Sequence, residues 1–242
     1  MQACNADVND YVAIVTLLAL LAGVLDTNDR SYGGVPVTIV QPEPALLPPC
    51  PELSEARRRL FEAAIVLFGD KGFHAVSVRD LASSMGLQPA ALYAHVASKQ
   101  ELLFEIVLLG FRTHRDRMKD ALLDAGREPT DQIKALVRAH VGTHLEHPAL
   151  ARVTNREVGS LSEEQAEAVA QIRAESEKAF LDVVERGIRL GAFQVAEPRL
   201  AILGIAGMGI RAAEWWTPSD EFTPEQVADN YADYAVRLLT SS

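Results

Sequence analysis

The sequence predicts an all-α protein with an N-terminal three-helix, helix-turn-helix unit and a C-terminal helical body. Three observations carry this. Apolar residues recur at helical spacing from Ser54 onward, and no window alternates in the way a half-buried strand requires. Ser, Pro and Gly fall where helices start and stop.

Residues 1 to 51 stand apart. Residues 11 to 25 are fifteen uncharged residues, short of the roughly 20 that span a bilayer. Asp7 and Asp10 precede this run and no Lys or Arg does, which argues against a secretory signal. Residues 26 to 51 hold two adjacent glycines and six prolines, the composition of a linker or disordered tail. A domain boundary near Glu52 follows. The segment before it reads as a disordered extension, as sequence upstream of a misassigned start, or as an apolar tether to a membrane or partner.

From Ser54, "SEARRRLFEAAIVLFGDKGF" places Leu60, Ala63, Ala64, Leu67 and Phe68 on one helical face, with Gly72 at the stop. Ser77 caps a second helix with Asp80 as its capping-box acid, and that helix runs to Met85 before Gly86. Pro89 suits the first turn of a third helix, "PAALYAHV", and Ser98 caps a long fourth from Lys99 to Ala125. Amphipathic stretches follow at 130 to 146, 163 to 190, 198 to 216 and 224 to 239, without an internal repeat. The predicted domains are 52 to 100 and 101 to 242.

The net charge is −10, so a protein that coats nucleic acid through bulk charge is excluded and any such contact must be local. The segment 52 to 100 has six bases against five acids, while both flanking segments are acidic. Cys4 and Cys50 are the only cysteines, too few for a disulfide frame, which suits a reducing cytoplasm.

The stretch "SVRDLASSMGLQPAALYAHV" has helix-turn-helix spacing. Small Ala82 sits where the helices cross, Gly86 where the turn needs a left-handed residue, and Leu81, Met85, Leu87 and Leu92 fix the angle. The run "RRRLFEAAIVLFGDKGFHAVSVRDLASSMGLQPAALYAHVASKQELL" resembles the DNA-binding domain of the TetR/AcrR family of bacterial transcriptional regulators. That resemblance implies a cytoplasmic, homodimeric repressor on a palindromic operator, released by a small molecule. Ala90 and Ala91 let the third helix approach base edges, and Gln88 suits an adenine edge. By the resemblance, Tyr93, His95 and Lys99 face phosphates, and Ser77, Arg79 and Pro89 complete the DNA-facing set. The competing reading makes Tyr93 and His95 part of the small domain's own core. Arg57, Arg58 and Arg59 cannot share one helix face, so a solvated surface competes with a DNA contact there.

"LARVTNREVGSLSEEQAEAV", the "GAF" before Pro198, the "WW" and the tail "TPEQVADNYADYAVRLL" resemble a subset of that family linked to fatty-acid or steroid breakdown. This implies an acyl-CoA or lipid-like effector. Candidate pocket residues are Phe111, Val141, Leu145, Asn155, Arg156, Phe180 and Trp215, with Arg156 suited to a carboxylate or phosphate. For the apolar ones ordinary core packing competes. "HVGTHLEH" puts His140, His144 and His147 on one helix face, a spacing open to zinc, but the glutamate of a His-Glu-x-x-His hydrolase is missing and Pro148 ends the helix. A zinc-dependent enzyme is the least favoured reading, and no enzyme, cofactor or metal is expected. Gly204, Gly207 and Gly209 in one helix each cost about 1 kcal/mol relative to Ala. Close approach at a dimer interface or room for a ligand must offset that.

Overall fold

The computed structural model describes residues 43 to 240, so the readings placed on residues 1 to 42 lie outside the described residues. Among the described residues, nine α-helices and one 3-10 turn make up the fold, and there is no strand. Helix α1 (Glu55–Lys71) begins where Ser54 Oγ accepts from the Arg57 amide, and ends at Gly72 with φ 80°. Helix α2 (Val78–Ser84) carries the predicted capping box: Asp80 N donates to Ser77 Oγ at 3.2 Å and Ser77 N to the Asp80 carboxylate at 2.8 Å. Gly86 then turns the chain at φ 68°, a conformation without steric cost only for glycine.

The third helix is shorter than predicted. Helix α3 (Pro89–Leu92) starts with Pro at its first turn, but the amides of His95 and Val96 both return to the Leu92 carbonyl, at 2.9 and 3.2 Å. The segment 93 to 96 is therefore a tightened turn that closes the helix early. Helix α4 (Lys99–Asp124), capped by Ser98, runs from the DNA-binding unit into the helical body. Helix α5 (Pro129–Glu146) is followed by a helix absent from the sequence reading, α6 (Pro148–Arg156). Pro148 both ends one helix and opens the next, since a first-turn residue needs no amide donor. His147, at φ −133° and ψ 60°, is the joint between them. A 3-10 turn (Glu157–Ser160), α7 (Glu163–Arg189), α8 (Pro198–Trp215) and α9 (Pro224–Thr240) complete the described chain.

Two apolar cores result. The first joins α1 to α3 with the start of α4, and it includes Leu150 and Val153 of α6 and Val169 of α7. The second lies among the end of α4, α5, α7, α8 and α9. Helix α9 lies along α5, with ion pairs Lys134–Asp233 at 2.8 Å and Arg138–Asp229 at 2.5 Å at its edge.

The folded body begins earlier than the predicted boundary at Glu52. Leu47 and Cys50 are buried, Leu47 joins the first core, and the Ala45 carbonyl accepts a hydrogen bond from His147 Nδ1 at 2.8 Å. The prolines of this stretch suggest a linker, yet it packs. Burial pushes the Cys50 thiol pKa up, so this cysteine is a core residue.

Candidate nucleic-acid interface and ligand cavity

Leu81, Ala82 and Leu92 are buried between α2 and α3, and they hold the two helices at the crossing expected from the sequence. What remains outside is mostly neutral. Gln88, Ala90, Ala91 and Tyr93 are exposed, Tyr93 at 57%, while Pro89 and His95 are half-buried. Ser77 and Arg79 are exposed at the start of α2, but the Ser77 hydroxyl also donates to Asp80 at 2.6 Å, so it is committed to the cap.

Lys99 sits differently from its expected role. Its ammonium donates to the carbonyls of Phe73 and Val76 at 2.8 and 2.7 Å and lies 4.0 Å from the Phe73 ring centroid. Two of its three donors tie the α1–α2 loop to α4, which leaves one for a phosphate. The arginine triplet divides as its helical geometry requires. Arg57 pairs with Glu105, Arg58 with Glu62 at 3.9 Å, and Arg59 is exposed.

A cavity of about 160 Å³ lies between α4, α5, α6, α7 and α8. Of the candidate pocket residues, Phe111, Asn155 and Phe180 line it. Val141 and Leu145 do not: both are fully buried in the second core on another face of α5. Trp215 packs against that core outside the cavity, and its neighbour Trp216 is the buried indole, donating to the Phe222 carbonyl at 2.9 Å. Arg156 is also outside. It is exposed and pairs through two nitrogens with Glu214 of α8, where a cation next to an acid found a partner on the surface. The arginine at the cavity is Arg173, whose guanidinium lies 5.6 Å from the Phe111 ring centroid.

Polar groups on the cavity wall come from α4 to α7. Thr143 donates to the Ala139 carbonyl at 2.7 Å, and Asn155 to the Ala151 carbonyl at 2.8 Å. The Thr154 hydroxyl is buried with no hydrogen-bond partner, a cost that a ligand's polar atom would relieve. His140 and His144 line the cavity and group together, whereas the third histidine of the sequence pattern, His147, lines it apart from them with its Nδ1 committed to the Ala45 carbonyl. Its place is taken by His114 of α4, which sequence spacing could not pair with α5.

Main-chain oxygens can only accept, so they fix the tautomers of two of these rings. His140 Nε2 donates to the Ala206 carbonyl at 3.0 Å, and His144 Nδ1 to the His140 carbonyl at 2.7 Å. The lone pair on His140 Nδ1 then accepts from His114 Nε2 at 2.7 Å. Burial drives all three pKa values down from 6.5, that of His114 to about 3, and their mutual repulsion lowers His114 and His140 further. All three are neutral at neutral pH.

Of the three glycines of α8, Gly209 is the one whose lack of a side chain the cavity explains. A Cβ at Gly209 would overlap the His140 ring, so this glycine makes room for the cavity wall. At Gly204 and Gly207 a Cβ would meet nothing within 4 Å.

The fold and these two features define a class: a helix-turn-helix DNA-binding transcriptional regulator with a ligand-sized cavity in its helical body. The chain belongs to the TetR family. Residues 60–106 match the family described as bacterial regulatory proteins, tetR family, and residues 126–239 match the tetracyclin repressor-like C-terminal domain. A regulatory protein of the tetR family from Rhodococcus RHA1 is 31% identical, with TM-score 0.72 over 78% of this chain and 100% of its own. PfmR of Thermus thermophilus is also 31% identical, with TM-score 0.67 over 74% and 97%. The transcriptional repressor KstR2 of Mycobacterium tuberculosis is 26% identical over 182 residues, 74% of this chain and 90% of its own. Its solved structure, described as that of a ketosteroid transcriptional regulator, superposes with TM-score 0.73. Membership of a family of transcriptional regulators sets aside the zinc-dependent enzyme. No helix among the described residues is long and apolar enough to cross a membrane.

Proposed function

We propose that this chain is a cytoplasmic repressor that holds a palindromic operator as a homodimer and releases it when a small, largely apolar effector enters the cavity between α4 and α8. One observation carries the reading: α6 has the cavity on one face and the DNA-binding core on another. Leu150, Ala151, Thr154 and Asn155 line the cavity, while Ala149, Leu150 and Val153 pack with α1. The turn after α6 reinforces the link, because Glu157 accepts from the Phe73 amide at 3.1 Å in the α1–α2 loop. Helix α4 spans the same two regions, with Leu102 to Val107 in the first core and Gly110 to His114 at the cavity. An effector that shifts α4 or α6 therefore shifts the helix-turn-helix, and packed interfaces pass on such shifts as discrete steps.

At about 160 Å³ the cavity takes roughly one six-membered ring or a short acyl chain. A larger effector of the lipid-like class must part α7 from α8, which is how its binding would favour a DNA-incompetent state. Dimerisation is assigned to α8 and α9. Leu200 and Leu203 are 66% and 52% exposed and share a helical face with Gly204 and Gly207, and Tyr234 and Leu238 are exposed on α9. On DNA, Ala90 and Ala91 allow backbone approach to the bases, with Gln88 on an adenine edge and Tyr93, His95 and Arg79 on phosphates.

The test is binding of the full chain to duplexes from its own promoter region. Binding should weaken steeply with salt, and Ala91→Glu, which places a carboxylate against the bases, should abolish it without changing the unfolding midpoint. A wild-type protein with no salt-sensitive duplex binding would overturn the reading.

A further inference from the structure

The geometry points to a divalent transition-metal site of the zinc class formed by His114, His140 and His144, with its fourth coordination position open to the cavity. One ring nitrogen from each histidine lies within 4.8 Å of the other two. The outer contacts are those that metal-bound histidines need. His140 donates Nε2–H to the Ala206 carbonyl and His144 donates Nδ1–H to the His140 carbonyl, which leaves a lone pair on His140 Nδ1 and on His144 Nε2, the latter accepting from Asn155 Nδ2 at 3.4 Å, a contact the metal displaces. His114 Nε2 completes the set at 2.7 Å from His140 Nδ1.

That 2.7 Å is a hydrogen-bond distance, whereas two nitrogens on one tetrahedral zinc stand about 3.3 Å apart. Metal entry moves the His114 proton from Nε2 to Nδ1 and opens the pair by a few tenths of an ångström. No proton leaves the protein, because all three rings are neutral. The His114 ring borders the cavity, which gives it open space on one side. Gly209 fits the same account: in a helix where glycine is costly, it gives His140 the space to stand at this position.

A His₃ site with an open position binds a donor atom without implying hydrolysis, and here that position faces the place assigned to the effector. The metal proposal does not depend on the effector reading, since metal uptake is measured without DNA or effector.

The full chain, stripped with chelator and dialysed, is titrated with Co²⁺ and separately with Zn²⁺. The expected result is one ion per chain, with the visible absorption of tetrahedral Co²⁺ bleached by Zn²⁺. In His114→Gln and in His144→Gln metal affinity should fall by at least about tenfold. Circular dichroism of each variant confirms its fold, and the wild-type titration stands even where a variant fails to fold. Wild type that takes up no metal overturns the proposal. So does uptake that both folded variants retain unchanged, which would place the ion elsewhere.

Discussion

The two cores of this protein are built to different rules. Around α1 to α3 the buried residues are apolar, from Leu60 and Phe61 to Leu81 and Leu92, and the polar side chains of the DNA-binding unit lie at its surface or half-buried, with the Arg57 Nε alone buried without a partner among the described residues there. In the helical body, α5, α6 and their joint bury His140, Thr143, His144, His147 and Thr154, the buried polar residues among the described ones. Burying such groups costs free energy unless each is satisfied, and Thr154 is not. The first core needs only to hold a surface in shape. The second keeps polar chemistry inside, at some cost in stability, and the structure puts its cavity there.

The largest effect that separates the two cores should come from acid. Each cavity histidine has a folded-state pKa below its ordinary 6.5, so the unfolded chain binds protons that the folded chain refuses. Stability is then intact above pH 6.5 and falls below it, by about 1.4 kcal/mol per pH unit for each histidine still neutral in the fold. For His114 the loss continues down to about pH 3. Urea unfolding in chelator should show this slope between pH 6.5 and 5, and His114→Gln should reduce it by one proton. An unchanged slope in that variant would mean that the cavity histidine is not held neutral by burial.

A smaller effect distinguishes two glycines two residues apart on α8. Gly209→Ala drives a methyl into the His140 ring and should cost about 1–3 kcal/mol. Gly207→Ala meets nothing within 4 Å and should stabilise the subunit by up to about 1 kcal/mol, while weakening self-association if α8 lies at the dimer interface. Thermal unfolding and sedimentation velocity read the two outcomes. Equal costs at both positions would remove the argument that glycine serves the cavity at one and the surface at the other.

The same contrast explains what can be read from the sequence. The DNA-binding unit is legible almost residue by residue because its determinants are local: Ser54, Ser77 and Ser98 cap, Gly72 and Gly86 take positive φ, and Leu81 and Leu92 lie within one motif. The misreadings there lack a local signal, since the early end of α3 has no strong stop residue and the segment of Leu47 packs through contacts that reach as far as His147. The cavity gathers residues from five helices between Gly110 and Ile210. Periodicity marks an apolar face of α5 without telling which side meets the core and which the cavity, so it puts Val141 and Leu145 on the wrong side. His114 and Arg173 carry no signal, because their partners are Phe111, His140 and His144 from packed helices rather than from a motif.

The smallest expected effect concerns the two arginines. Arg156 stands out in the sequence because a cation beside Asn155 on an apolar segment suggests an anion to be bound. The anion is the half-buried Glu214 of α8, and a pair whose cation stands exposed to solvent contributes about 0–1 kcal/mol. Arg156→Ala should therefore change stability by less than about 1 kcal/mol and leave both operator affinity and effector release as they are. Arg173 stands over Phe111 at the cavity wall, where a cation can meet the carboxylate or thioester end of an effector whose apolar part lies inside. Arg173→Ala should keep operator binding and weaken release by apolar carboxylates and acyl thioesters. The measurement is operator affinity of wild type and both variants across one panel of such ligands. Release lost in Arg156→Ala and kept in Arg173→Ala would move the effector's polar end out of the cavity and onto the surface between α6 and α8.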